Sequence, residues 1–78
     1  MVYLRIKPTK QSEKEVQKLE SILNAWDLKI VQCEIDEENL VLNLVINASM
    51  PAIMIQVVSV AQSRFREDLL ETNTCYEY

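Results

Sequence analysis

The chain has 78 residues, 49% of them hydrophobic and 26% charged, which fits one globular domain and is too apolar for disorder. It has no glycine and no histidine, so glycine-rich phosphate loops and imidazole-based catalysis or metal binding are excluded. The net charge of −4 is spread along the chain, six basic and eight acidic residues through Glu38, then two and four. No basic half is left to hold a phosphate backbone.

Residues 2–7 alternate, with Val2, Leu4 and Ile6 on one side and Tyr3, Arg5 and Lys7 on the other. This predicts a strand with one buried face. Because the sequence runs straight into that pattern, no signal peptide is expected. Pro8 and Thr9 end the strand. Ser12 and Glu15 have the spacing of a capping box, in which each side chain satisfies an unpaired backbone donor. Val16, Leu19, Ile22, Leu23 and Trp26 then form one helical stripe, and a helix over residues 13–26 follows.

Residues 28–35 read as a second strand, with Val31, Cys33 and Ile35 on a common face. Asp36, Glu37, Glu38 and Asn39 form a polar turn. Residues 40–47 make a third strand, with Leu40, Leu42, Leu44 and Ile46 on one side and Val41, Asn43, Val45 and Asn47 on the other. The short link predicts an antiparallel hairpin. Ser49 and Pro51 mark a second helix start. Met54, Val57, Val58, Ala61 and Phe65 continue at helical spacing, and the stripe extends as far as Leu69. The β-branched run from Ile53 to Val60 makes a strand the competing reading. Residues 74–78 have strand-like composition and are expected at a sheet edge. Leu19, Leu23, Leu42, Leu44 and Val58 are the expected core.

The uncharged stretch 39–63 is long enough to span a bilayer, but it carries Asn43, Asn47, Ser49, Pro51, Gln56 and Ser59 and changes period midway. It is read as a buried strand followed by a buried helix, not as a membrane insertion.

The order strand, helix, strand, strand, helix, strand predicts an α+β two-layer βαββαβ sandwich, an antiparallel sheet with both helices on one face. Residues 1–78 are then a single α+β domain. The segments VYLRIK, SEKEVQKLESILNAWD, LKIVQCEID, LVLNLVIN and PAIMIQVVSVAQSRF resemble, in order and length, the ACT-type regulatory domains with their ferredoxin-like sandwich. They also resemble the cytoplasmic ACT-like tail of MgtC-type bacterial membrane proteins. The resemblance implies a small-molecule-binding regulatory role. It places the ligand at the first strand–helix loop, here Pro8, Thr9, Lys10 and Gln11, without the glycine such sites contain.

No catalytic residue, cofactor or metal site is assigned, and no enzyme activity is expected. The acidic group Glu34, Asp36, Glu37 and Glu38 lacks the spaced ligands and glycine of a calcium loop and reads as a solvated turn. Two cysteines are too few for structural zinc. They are read as reduced thiols of a cytoplasmic protein, with Cys33 among apolar neighbours in the core. Tyr3 and Arg5 stand where RNA-recognition folds stack bases, yet the third strand offers Val41, Asn43 and Val45 in place of aromatics, so no nucleic-acid partner is expected. The expectation that remains is an interaction face formed by Tyr3, Arg5, Ile30, Val41 and Val45, serving a homodimer or a protein partner.

Overall fold

A computed structural model describes residues 1–75 of the chain. Its elements are β1 (Val2–Ile6), α1 (Lys10–Ala25), β2 (Ile30–Asp36), β3 (Val41–Ile46), α2 (Pro51–Phe65), a short 3-10 turn (Arg66–Asp68) and β4 (Leu69–Thr74). The four strands form one antiparallel sheet in the order β2-β3-β1-β4. This is the ferredoxin-like sandwich expected from the alternating strands and paired helices.

The core follows the alternation. Val2, Leu4 and Ile6 of β1 and Leu42, Leu44 and Ile46 of β3 point to the helix side. They meet Leu19 and Leu23 of α1 and Met54, Val57, Ala61 and Phe65 of α2. Each large aliphatic side chain buried this way contributes about 1.5–3 kcal/mol. Val57, not Val58, is the fully buried member of its pair, and Val58 is half-buried. Trp26 closes α1 as its C-cap with more than a third of its surface exposed, so it is not core.

α1 begins three residues before the expected start. Thr9, not Ser12, is the N-cap. The Thr9 Oγ1 accepts from Ser12 N at 3.0 Å, while Thr9 N donates to Ser12 Oγ at 2.8 Å. Ser12 therefore answers the cap from the third helical position, and Glu15 lies buried within the helix. The threonine hydroxyl also donates to Asp68 Oδ2 at 2.9 Å, tying the helix start to the turn before β4. That second bond gives Thr9 a reason to cap that Ser12 lacks.

α2 starts at Pro51 after an N-cap at Met50. The β-branched run stays helical because its buried residues recur at helical spacing against the sheet. It stops at Arg66, whose φ of 44° and ψ of −112° leave the helical region. Leu69 therefore opens β4 instead of extending the α2 stripe. β4 is Leu69–Thr74 and pairs with β1; of the segment 74–78 expected as an edge strand, Thr74 belongs to it, Cys75 lies just beyond it, and residues 76–78 lie outside the described residues. Cys75 N donates to Met1 O at 2.9 Å, just beyond the strand.

With no glycine in the chain, three side-chain-bearing residues among those described take positive φ: Asp27 (62°), Leu40 (53°) and Arg66 (44°). Asp tolerates this region locally; Leu and Arg do so under steric cost.

Candidate functional site

The face of the sheet away from the helices is built from three cross-strand rows. Gln32, Val45, Tyr3 and Asn73 form one row, and Glu34, Asn43, Arg5 and Glu71 the next; Asp36 faces Val41 in the third. Tyr3, Arg5, Val41 and Val45 therefore share the open face. Arg5 Nη1 lies 3.5 Å from Glu71 Oε2. Val41 is only 4% exposed and Val45 is half-buried. Val45 and Tyr3 are direct neighbours in the first row, while Asn43 separates Val45 from Val41.

Ile30 is not on that face. It pairs with Ile46 and packs against the core from the helix side. The cause is a β-bulge: the register shifts between Ile30 and Gln32, leaving Val31 as an extra residue. A bulge moves the residues before it to the opposite face from the one strict alternation would give. The same bulge removes Val31 from the face it was expected to share with Cys33 and Ile35.

Beyond the bulge, β2 alternates regularly. Gln32, Glu34 and Asp36 point to the open face, opposite Val45, Asn43 and Val41. Cys33 and Ile35 point to the helix side, opposite the buried Leu44 and Leu42. The helices do not cover them. Residues 31–35 of β2 are all exposed, whereas the helix-side residues of β1 and β3 are buried. Ile35 is 61% exposed on that side; Val31, at the bulge, is 52% exposed, and Leu40, at the hairpin end, 70%. Cys33 is exposed and forms no disulfide, which corrects its expected place in the core. Partial burial, followed by the charge of Glu20 on α1, still pushes its thiol above its ordinary range. Both causes oppose a thiolate nucleophile.

Among the described residues β2 is also a sheet edge, with β3 on one side only. Such an edge carries unpaired backbone donors and acceptors that template a further strand. The other edge, β4, presents mainly polar residues. The hairpin that ends β2 is held locally. Asp36 accepts from Asn39 Nδ2 at 2.7 Å, from Asn39 N at 3.2 Å and from Glu38 N at 3.1 Å. The bond from the Asn39 side chain, then its backbone, holds the Asp36 carboxyl below the ordinary carboxylate range, with smaller help from Glu38 N and Arg5.

A second feature is a polar cleft between the start of α1 and the end of α2, lined by residues including Gln11, Glu15, Arg64, Arg66 and Asp68. Glu15 Oε1 accepts from Gln11 Nε2 at 3.2 Å and Lys18 Nζ at 3.4 Å. Its Oε2 is buried without a hydrogen bond, 3.5 Å from Arg64 Nη1. Arg64 comes from α2, so the sequence around Glu15 holds no sign of this pairing.

Among the described residues, no three acidic or cysteine side chains converge in a way that could hold a metal ion. No described helix is long and apolar enough to cross a membrane. The chain matches no family model, no curated protein and no solved structure.

Proposed function

We propose that this chain is a non-catalytic protein-interaction or regulatory module that associates through its sheet, with a second copy of the chain received along β2. The observation that carries the reading is the uncovered edge strand: Val31 and Ile35 stand more than half exposed on the strand whose backbone lacks a partner on one side. Pairing would satisfy those backbone groups and remove the apolar side chains from water together, which is how strand addition gains affinity. An edge of one short strand buries little area, so the association is weak and concentration-dependent. The same reading places the protein in the cytoplasm, where the thiols of Cys33 and Cys75 stay reduced.

Sedimentation velocity over a wide concentration range tests this. The wild-type chain should shift from monomer to dimer, and Ile35→Lys should remain monomeric, because a lysine on the exposed edge charges the seam without touching the core. Val45→Lys on the open face is the contrast. If it abolishes the dimer and Ile35→Lys does not, the sheet face and not the edge is the surface used. A monomer at every concentration overturns self-association.

A second reading, a small-molecule-binding regulatory domain of the ACT type, rests on the cleft at Glu15. Its support is the buried Oε2 that lacks a hydrogen-bond donor, beside Arg64 and Gln11. A ligand bearing an ammonium group would supply that donor. Titration with amino acids, followed by amide shifts of Gln11, Glu15 and Arg64, decides it; shifts absent at millimolar ligand end the reading.

A further inference from the structure

Resting on the reading of β2 as a self-associating edge, we infer the register of the pair: two β2 strands run antiparallel about a two-fold axis at Cys33. Residues facing each other across an antiparallel ladder must share a face of the sheet. In a two-fold pair of identical strands this puts the axis on a residue and not between two. Within the regular part of β2, residues 32–36, the centres with a regular neighbour on each side are Cys33, Glu34 and Ile35.

Charge separates the three. An axis at Glu34 sets the two Glu34 carboxylates against each other. An axis at Ile35 sets Glu34 against Asp36 of the second copy, twice. Like charges directly opposite are destabilising. An axis at Cys33 sets Gln32 against Glu34, twice, and the amide of Gln32 is a donor for that carboxylate.

The bulge extends the match. Against β3, Val31 and Gln32 together occupy the space of one residue. If the second copy meets the bulge the same way, Ile30 faces Ile35 on the helix side, and Lys29 comes to Asp36 on the open side. The seam then carries Ile30, Cys33 and Ile35 of each copy on one face, and Gln32–Glu34 and Lys29–Asp36 pairs on the other. Strand β2 is in this sense complementary to itself in one register, although the chain as a whole is acidic.

Disulfide trapping tests the axis. Facing Cα atoms in an antiparallel pair are about 4.5–5.5 Å apart, within the range of about 4.4–6.8 Å that a disulfide bridges. In a Cys75→Ser background, two Cys33 thiols should give their two hydrogens to diamide and form one S–S bond between copies. Gln32→Glu should weaken dimerisation by about three- to tenfold, since it sets acid against acid at two places. Adding Glu34→Lys to it should restore the dimer to within about twofold, because the introduced acid then meets an introduced base at both places. Both positions lie on the exposed side of the strand, and an unchanged circular dichroism spectrum confirms the fold. A dimer in sedimentation that neither crosslinks at Cys33 nor responds to Gln32→Glu overturns this register and leaves self-association standing. A monomer throughout overturns both.

Discussion

Cys33 of β2 lies directly opposite Leu44 of β3 on the helix side of the sheet, yet Leu44 is fully buried and Cys33 is exposed. One strand spacing separates a core position from a surface one. Cover by the helices, and not the alternation alone, decides which inward-facing residues are core.

That difference in burial predicts an asymmetry between neighbours that look equivalent in the sequence. Leu44→Ala should cost about 2–5 kcal/mol, as a large-to-small change in a sealed core. Ile35→Ala, one pair along on the same face, should change stability by no more than about 0.5 kcal/mol, as a surface substitution. Urea midpoints for the two variants, at a common m-value, make the comparison. Equal losses would mean that β2 is covered in solution.

The capping arrangement makes a second prediction. Thr9→Ala removes the acceptor for Ser12 N and the donor to Asp68 together. Loss of a cap costs about 1 kcal/mol, and the Asp68 bond adds about 0.5–1.5 kcal/mol. Ser12→Ala should also destabilise by about 1 kcal/mol, because Thr9 N loses its acceptor. Thr9→Ala should therefore be the more damaging change in a denaturant titration, whereas a helix starting at Ser12 would reverse that order.

Much of this architecture was legible in the sequence, and the misses share a cause. The alternation in β1 and β3 and the α1 stripe report directly which side of each element is buried. The bulge at Val31 has no such signature: no glycine or proline marks it, and strict alternation misplaces Ile30. β4 was hidden because Phe65 and Leu69 lie at helical spacing, while the break at Arg66 is made by a residue that does not usually take positive φ. The α1 start was misread because Thr9, Ser12 and Glu15 are all three apart, and only the contact with Asp68 chooses among them. The burial of Glu15 depends on Arg64 from α2, a pairing no local pattern contains.

Arg66 supports a third prediction. Its φ of 44° with ψ of −112° is a conformation in which a Cβ is strained and glycine is not. Arg66→Gly should raise stability by about 1 kcal/mol, the relief of strain less the added freedom of the unfolded chain. Thermal melts of the variant and of Glu67→Gly, a neighbour with no positive φ, separate this from a general effect of glycine. A loss of stability in Arg66→Gly would show that its side chain contributes more than its backbone costs.

The hairpin end of β2 gives the last prediction, and its sign follows from the direction of one pKa. Asp36 is held below the ordinary carboxylate range, chiefly by its bonds from Asn39. A depressed folded-state pKa means that the ionised form favours the folded hairpin. The stabilisation is fully present above the unfolded carboxyl pKa and is lost as pH falls through the lowered folded value. Acidification should therefore loosen the turn at residues 36–39. Asn39→Ala removes the side-chain donor and should bring the Asp36 titration back up toward the ordinary range. Carbon-detected NMR of the Asp36 carboxyl across the acid range reads both effects. An Asp36 midpoint that does not move in Asn39→Ala would show that the turn is not held by this bond.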